Sequence, residues 1–345
     1  MKTNKYLNLI NTNDEQEQLY SSYTYDKSYI DYTVENKKVH YAQPFFHKVG
    51  KVGDFYYENG LFSKDIILKR GIPIGIVVIE ENFIPTSPQG RIMSLVDMNY
   101  STPTTGGTYT QGMYWGNYEN TIPLQYYNEI AHCGYDNTIS SFVQGLTNSA
   151  SLPSDSFSAK NYSGDPSTYY ANSNYHAISP YLTDASGNTT FNTEYIKTTS
   201  PSSSANSLSD LDGYGNTEVL TNDTYTSGQS DWKTANTITN NSGAGYSPAA
   251  CCCKRFEVGG LDWYLPSMGE IGFIMPRFSV IQSQLTKLIN NGGSSYCHKL
   301  ETNGDYWSST QVDDEFAMHL GTHDGHIYKV GKADVQYYVR AFCLY

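Results

Sequence analysis

Trp263-Tyr264-Leu265-Pro266-Ser267 with Glu270 behind it, and Tyr306-Trp307-Ser308-Ser309-Thr310 with Tyr338-Val339-Arg340-Ala341-Phe342 behind it, decide how this chain is read. Ser267 can accept from the backbone three residues on while Glu270 reaches back to the Ser267 amide, the reciprocal capping box that opens a helix. Ile271, Ile274, Met275 and Phe278 sustain that helix, and Pro276 is expected to break or kink it. A second helix over 280–289 places Ile281, Leu285, Leu288 and Ile289 on one face and stops at Asn290-Asn291-Gly292-Gly293. Beyond it the pattern is β, with strands expected at 306–309, 316–320, 327–330 and 337–344.

Working back from the first landmark, Pro248-Ala249-Ala250-Cys251-Cys252-Cys253 is an apolar run in which at least one cysteine should be buried as a small hydrophobe. A helix is expected over 230–238. Between 148 and 210 Ser, Thr, Asn, Tyr, Gly and Asp dominate without an aliphatic cluster. That segment cannot hold a core and reads as a long surface excursion carrying short hairpins. Further upstream, Gly53-Asp54-Phe55-Tyr56-Tyr57 leads to the tight-turn signal Asn59-Gly60 and then Leu61-Phe62-Ser63. The continuous apolar run Ile74-Gly75-Ile76-Val77-Val78-Ile79 should be a central strand, with another at 91–96. Residues 1–48 are polar and Tyr-rich, with a hairpin expected from Tyr29 to Val34, a turn at Glu35-Asn36-Lys37-Lys38, and Val39-His40-Tyr41. Too poor in aliphatics to hold a core, this part reads as an arm that packs on a partner.

The order of these landmarks, together with the opening Gly-Asp-Phe-Tyr-Tyr, the Asn59-Gly60 turn and the Ile-Gly-Ile-Val strand, resembles the C-type-lectin-like domains. Those domains occur at the C-termini of collagen-like bacterial adhesins and in phage and surface proteins diversified by retroelements. The resemblance runs over 52–345 with a gap in the middle. It implies an α+β fold of short strands with two or three helices: an N-terminal attachment arm, 1–48, and a display domain, 49–345, with a polar insertion at 148–210. Trp263, Leu265, Pro266, Ser267, Glu270, Tyr306, Trp307, Ser308, Ser309 and Arg340 would form its structural motif. In the diversified relatives the interval between the last two landmarks carries the ligand-contact face. By that analogy Gln311, Asp313, Asp314, Glu315, His319, Thr322, His323, Asp324, His326, Tyr328 and Gln336 are the candidate face here. Ordinary solvated loops contain the same residue types.

Charge narrows the partners. A net charge of −12 argues against nucleic acid and anionic membranes, which need clustered Lys and Arg. With only 16% charged residues and 32 tyrosines, the chain has the Tyr, Ser and Asn surface that suits recognition, although Tyr is equally a good strand former. Six cysteines, three of them adjacent and no Cys-x-x-Cys pair, make a disulfide framework or structural zinc site unexpected. Cys297 and Cys343 are expected as reduced thiols. His319, His323 and His326 around Asp324-Gly325 are metal-capable residue types, but on a hairpin only His319 and His323 should share a face. Asp210-x-Asp212-Gly213 starts like a calcium loop and then departs from it at Tyr214; the resemblance implies instead a turn over 210–217 that positions Asn216 and Thr217, with a single calcium the one cofactor left open. The calcium-dependent sugar-binding segments of lectins are not matched, since Trp307 is followed by Ser308-Ser309. No catalytic motif is present, and no enzyme activity is expected.

Met1 to Asp14 contains no apolar run, so no secretory signal is expected, nor any membrane span. The expectation is a phage virion appendage, assembled in the host cytoplasm: a head fibre, decoration protein or tail adhesin, trimeric, attached to other virion proteins through its arm. On the virion surface it would display the lectin-like face to host glycan or protein. A bacterial cell-surface adhesin, a purely structural capsid component and a metal-dependent oxidoreductase are the alternatives.

Overall fold

The computed structural model describes residues 29–34, 37–42, 46–67, 71–85, 87–107, 112–117, 180–184, 186, 188–191, 210–222, 231–311, 316–323, 325 and 327–345. Strand β5, Pro73–Ile79, is buried at every position, as its uninterrupted apolar run requires. It sits inside a six-stranded antiparallel sheet. The other members are β3 (Phe55–Tyr57), β4 (Phe62–Ser63), β6 (Arg91–Ser94), β9 (Trp263–Tyr264) and β13 (Phe342–Leu344), in the order β4-β3-β5-β6-β13-β9. The Asn59-Gly60 turn joins β3 to β4, with Gly60 at φ 76°, a conformation costly for any residue with a Cβ. The last strand therefore returns between β6 and β9, pairing Phe342 with both Met93 and Tyr264.

A second, three-stranded antiparallel sheet holds β10 (Asp305–Gln311), β11 (Phe316–Gly321) and β12 (Ile327–Gly331) in that order. Both expected hairpins exist: β1 (Tyr29–Val34) with β2 (Lys37–Ala42), and β7 (Tyr181–Thr183) with β8 (Thr189–Phe191) inside the polar insertion. The latter docks on the body through rings: Tyr181 lies 5.1 Å from Phe83 and 5.6 Å from Phe273. The Arg277 guanidinium sits 4.4 Å from the Tyr181 ring, a cation–π contact that clamps the hairpin. The remainder of the 148–210 insertion, up to 209, and residues 1–28 of the arm lie outside the described residues.

Four helices are described: α1 (Gly213–Leu220), α2 (Pro248–Lys254), α3 (Met268–Ile271) and α4 (Phe278–Asn290). Pro276 lies in a tight turn, Met275–Arg277, that separates α3 from α4, as its missing amide dictates. Two expectations need correction. Residues 213–220 are helical, because Asp212 caps the helix by accepting from the Gly215 amide. The helix expected over 230–238 is only a short turn of tighter helix, Asp231–Lys233. Cys251, Cys252 and Cys253 are all buried, since α2 is enclosed on every side. With Cys297 and Cys343 they are free thiols, and burial raises the pKa of each. Trp263 and Trp307 belong to one continuous core. Phe46 and His47 belong to the body as well, Phe46 packing edge-on against Tyr57, so the body starts ahead of the 48/49 division.

Candidate functional site

The motif residues are used internally. Glu270 is buried and its two oxygens serve different partners. Oε1 accepts from Arg91 Nε at 3.1 Å and Tyr264 Oη at 3.0 Å, while Oε2 closes the capping box on the Ser267 amide at 3.0 Å. Burial pushes the Glu270 pKa up against the pull of Arg91. Ser309 and Thr310 continue the network: Thr310 Oγ1 accepts from the Met268 amide at 2.8 Å and donates to Asp210 Oδ2 at 2.6 Å. Asn216 Nδ2 donates to Asp210 Oδ2 and to Ser309 Oγ, so the Ser-Ser-Thr run is the joint between β10, α1 and α3.

Arg340 is the second pin. Its buried guanidinium donates to Asp97 Oδ1 at 2.6 Å and to the carbonyls of Ser94, His298 and Lys299 at 2.9–3.0 Å. Burial holds Asp97 up at about 6 although Arg340 opposes it. The strap 112–117, which sequence reasoning missed, locks the sheet from one side. Trp307 Nε1 donates to the Met113 carbonyl and Trp115 Nε1 to the Ser308 carbonyl, each at 2.7 Å.

A file of rings crosses the three-stranded sheet and opens to solvent at one end. Trp307 is paired with His319, and His319 with Tyr328, so the period-2 pleat puts all three on one face. Tyr328 stacks on His319 at 5.3 Å, and His323 is parallel to Tyr328 at 6.3 Å. Tyr337 closes on His319 at 4.4 Å and on Trp307 at 4.8 Å. Asp305 Oδ1 lies 3.3 Å from His319 Nδ1 at the rim. The file grades from sealed to open: Trp307 and His319 are buried, Tyr328 and Tyr337 half-buried, His323 exposed. Beside Tyr337, exposed Gln336 accepts from Asn240 Nδ2 at 3.2 Å.

The candidate face is thus split. His323, Tyr328 and Gln336 lie where a ligand could touch them. Gln311, His319 and Thr322 are buried and leave the contact face. Thr322 is the bolt of the 301–305 turn: its Oγ1 donates to the Glu301 carbonyl at 2.5 Å and accepts from the Gly304 amide at 3.1 Å, while its amide donates to the Gly304 carbonyl at 2.8 Å. Asp313, Asp314, Glu315, Asp324 and His326 lie outside the described residues. Asp305 and Tyr337 join the rim, and their signal was positional: each adjoins a landmark residue, Tyr306 or Tyr338.

Asp210 does not suit calcium. Its carboxylate is met by the donors of Thr310, Asn216 and the Asp212 amide, whereas a cation needs converging acceptors. Among the described residues no group of three or more His, Cys, Asp or Glu could hold a metal ion, and no helix is long and apolar enough to cross a membrane.

No protein-family model matches the chain, and no curated protein does. Among solved structures it is similar to a fimbrial protein from Bacteroides ovatus ATCC 8483, at 16% identity and a TM-score of 0.45. The likeness covers 92% of this chain, which spans 57% of that protein.

Proposed function

We propose that the chain is the display module of an extracellular appendage, an adhesin whose body has a C-type-lectin-like arrangement and whose contact face is the open end of the ring file. The observation that carries this reading is the division of the polar and aromatic residues. The core carboxyls Glu270 and Asp210 are sealed behind hydrogen bonds. The half-open rings of Tyr328 and Tyr337, with His323, Asp305 and Gln336 around them, lie on a rigid sheet. Such a rim gives large contact area at small entropy cost, with adaptable hydrogen bonds beside it. The return of β13 between β6 and β9, and the capping box at Ser267, support the lectin-like arrangement. The role is contact rather than turnover, with host-surface glycan or protein as the ligand and an acidic surface that repels polyanions.

Binding of the full chain to arrayed glycans and to intact bacterial cells tests this, with Tyr328→Ala losing at least about tenfold in affinity, the range of a contact hot spot. Immuno-electron microscopy separates the carriers: label on bacterial surface filaments identifies a cell-surface adhesin. Label on phage heads or tails identifies a virion appendage attached through its arm, and a trimer by mass there fits a fibre.

A further inference from the structure

The chain enters the body at His47. Its amide donates to the Phe62 carbonyl at 2.8 Å and its carbonyl accepts from the Phe62 amide at 2.9 Å. The junction after hairpin β1–β2 is therefore fastened as one extra rung on the outer edge of β4. The half-buried imidazole of His47 stacks on Phe62 at 6.2 Å.

Its two nitrogens have unequal partners. Nδ1 lies 2.6 Å from the Val49 carbonyl, which can only accept, so Nδ1 carries a hydrogen. In a neutral imidazole that leaves Nε2 as a bare acceptor. Nε2 nevertheless faces Asp54 Oδ2 at 3.3 Å, and the buried Asp54 carboxyl is held there by the Lys51 amide at 2.8 Å. Two acceptors in contact need one proton between them, and that proton belongs to the pair.

We propose that His47 and Asp54 form a one-proton latch on the junction between the N-terminal hairpin and the body, closed while the pair holds its proton and loosened when the proton leaves. This inference is independent of the recognition role. The charged groups around the pair partly cancel. Lys51 and Lys64 favour the ionised carboxyl and Glu80 opposes it, while Lys51 Nζ is itself paired with Glu80 at 2.7 Å. The Tyr345 hydroxyl, raised in pKa by burial and by neighbouring acids that include Asp54, stays neutral. Burial dominates, pushing Asp54 up to about 7 and His47 down. A raised carboxyl stabilises on the acid side and loses that contribution as pH rises through about 7. An opened junction releases its imidazole proton near the ordinary 6.5.

Amide hydrogen exchange on the full chain, corrected for intrinsic chemistry, tests the latch at about pH 5.5 and about pH 8.5, either side of the ordinary imidazole value. The expected result is greater opening of the His47 and Phe62 amides at the higher pH, several-fold beyond any change in the Ser94 amide, which reports the stability of the body as a whole. His47→Gln supplies a donor at every pH, and only the response of the buried Asp54 carboxyl should remain, smaller than in the wild type. Equal opening of the wild-type rung at both values, or an undiminished pH response in His47→Gln, overturns the latch. Should that variant not fold, imidazole nitrogen and Asp54 carboxyl carbon shifts of the wild type decide. A joint response near neutrality supports the latch, and titration of His47 alone overturns it.

Discussion

At the scale of single residues, the strongest dependences sit on two buried charges whose partners are also buried. Removing Glu270 would leave the Arg91 guanidinium unpaired in the core, where both side chains are almost wholly shielded from water. Glu270→Ala should therefore cost about 3–5 kcal/mol, read from denaturant unfolding, while replacing both partners by Met should recover much of it. An unchanged unfolding free energy in Glu270→Ala would show that neither the Arg91 ion pair nor the capping box contributes to stability. Arg340 makes a similar case from geometry. Its planar fork reaches one carboxylate and three carbonyls, and a Lys ammonium cannot span them. Arg340→Lys should lower stability by at least about 2 kcal/mol, the cost of stranding buried acceptors and a buried carboxylate.

Among elements, the strap 112–117 matters most because it fixes the ring file from outside the sheet. Gly112 has φ 59°, and a Cβ there would lie 2.6 Å from the backbone of Gln336. The obstacle is main chain, which cannot swing aside as a side chain does. Gly112→Ala should cost at least about 2 kcal/mol, combining left-handed strain with the clash, and should free the Trp307 indole. Near-ultraviolet circular dichroism reports the second effect. The sequence reveals elements unevenly, for physical reasons. The run 74–79 is legible because a strand covered on both faces must be apolar throughout, and Ser267 with Glu270 is legible because capping is local chemistry. Helix α1 is not legible, because Gly213 and Gly215 weaken helical propensity, and Asp212 and the joint with Ser309 hold it. Burial of His319 depends on Tyr337 and on Trp307, which the 112–117 strap pins, and burial of Thr322 on the 301–305 turn, none of which the periodicity of β11 encodes.

For the whole molecule, buried carboxyls invert the usual acid sensitivity. Burial pushes Asp97 up to about 6 and Asp210 up to about 7, so the folded chain keeps protons that the unfolded chain has released above 3.8. Their contribution is complete on the acid side and is lost as pH rises through those values. The net charge of −12 adds growing self-repulsion in the same direction. Scanning calorimetry should accordingly give a higher Tm at about pH 5 than at about pH 7.5, within the range where maximal stability usually falls. The opposite order would mean that the donors on Asp210 and Asp97 outweigh their burial. The central claim, a rigid scaffold whose open rings are for contact, meets its most direct test in binding to intact bacterial cells by the wild type and by the His323→Ala, Tyr328→Ala double variant. The account predicts saturable wild-type binding and its loss in the double variant at an unchanged Tm; equal binding by both proteins would contradict it.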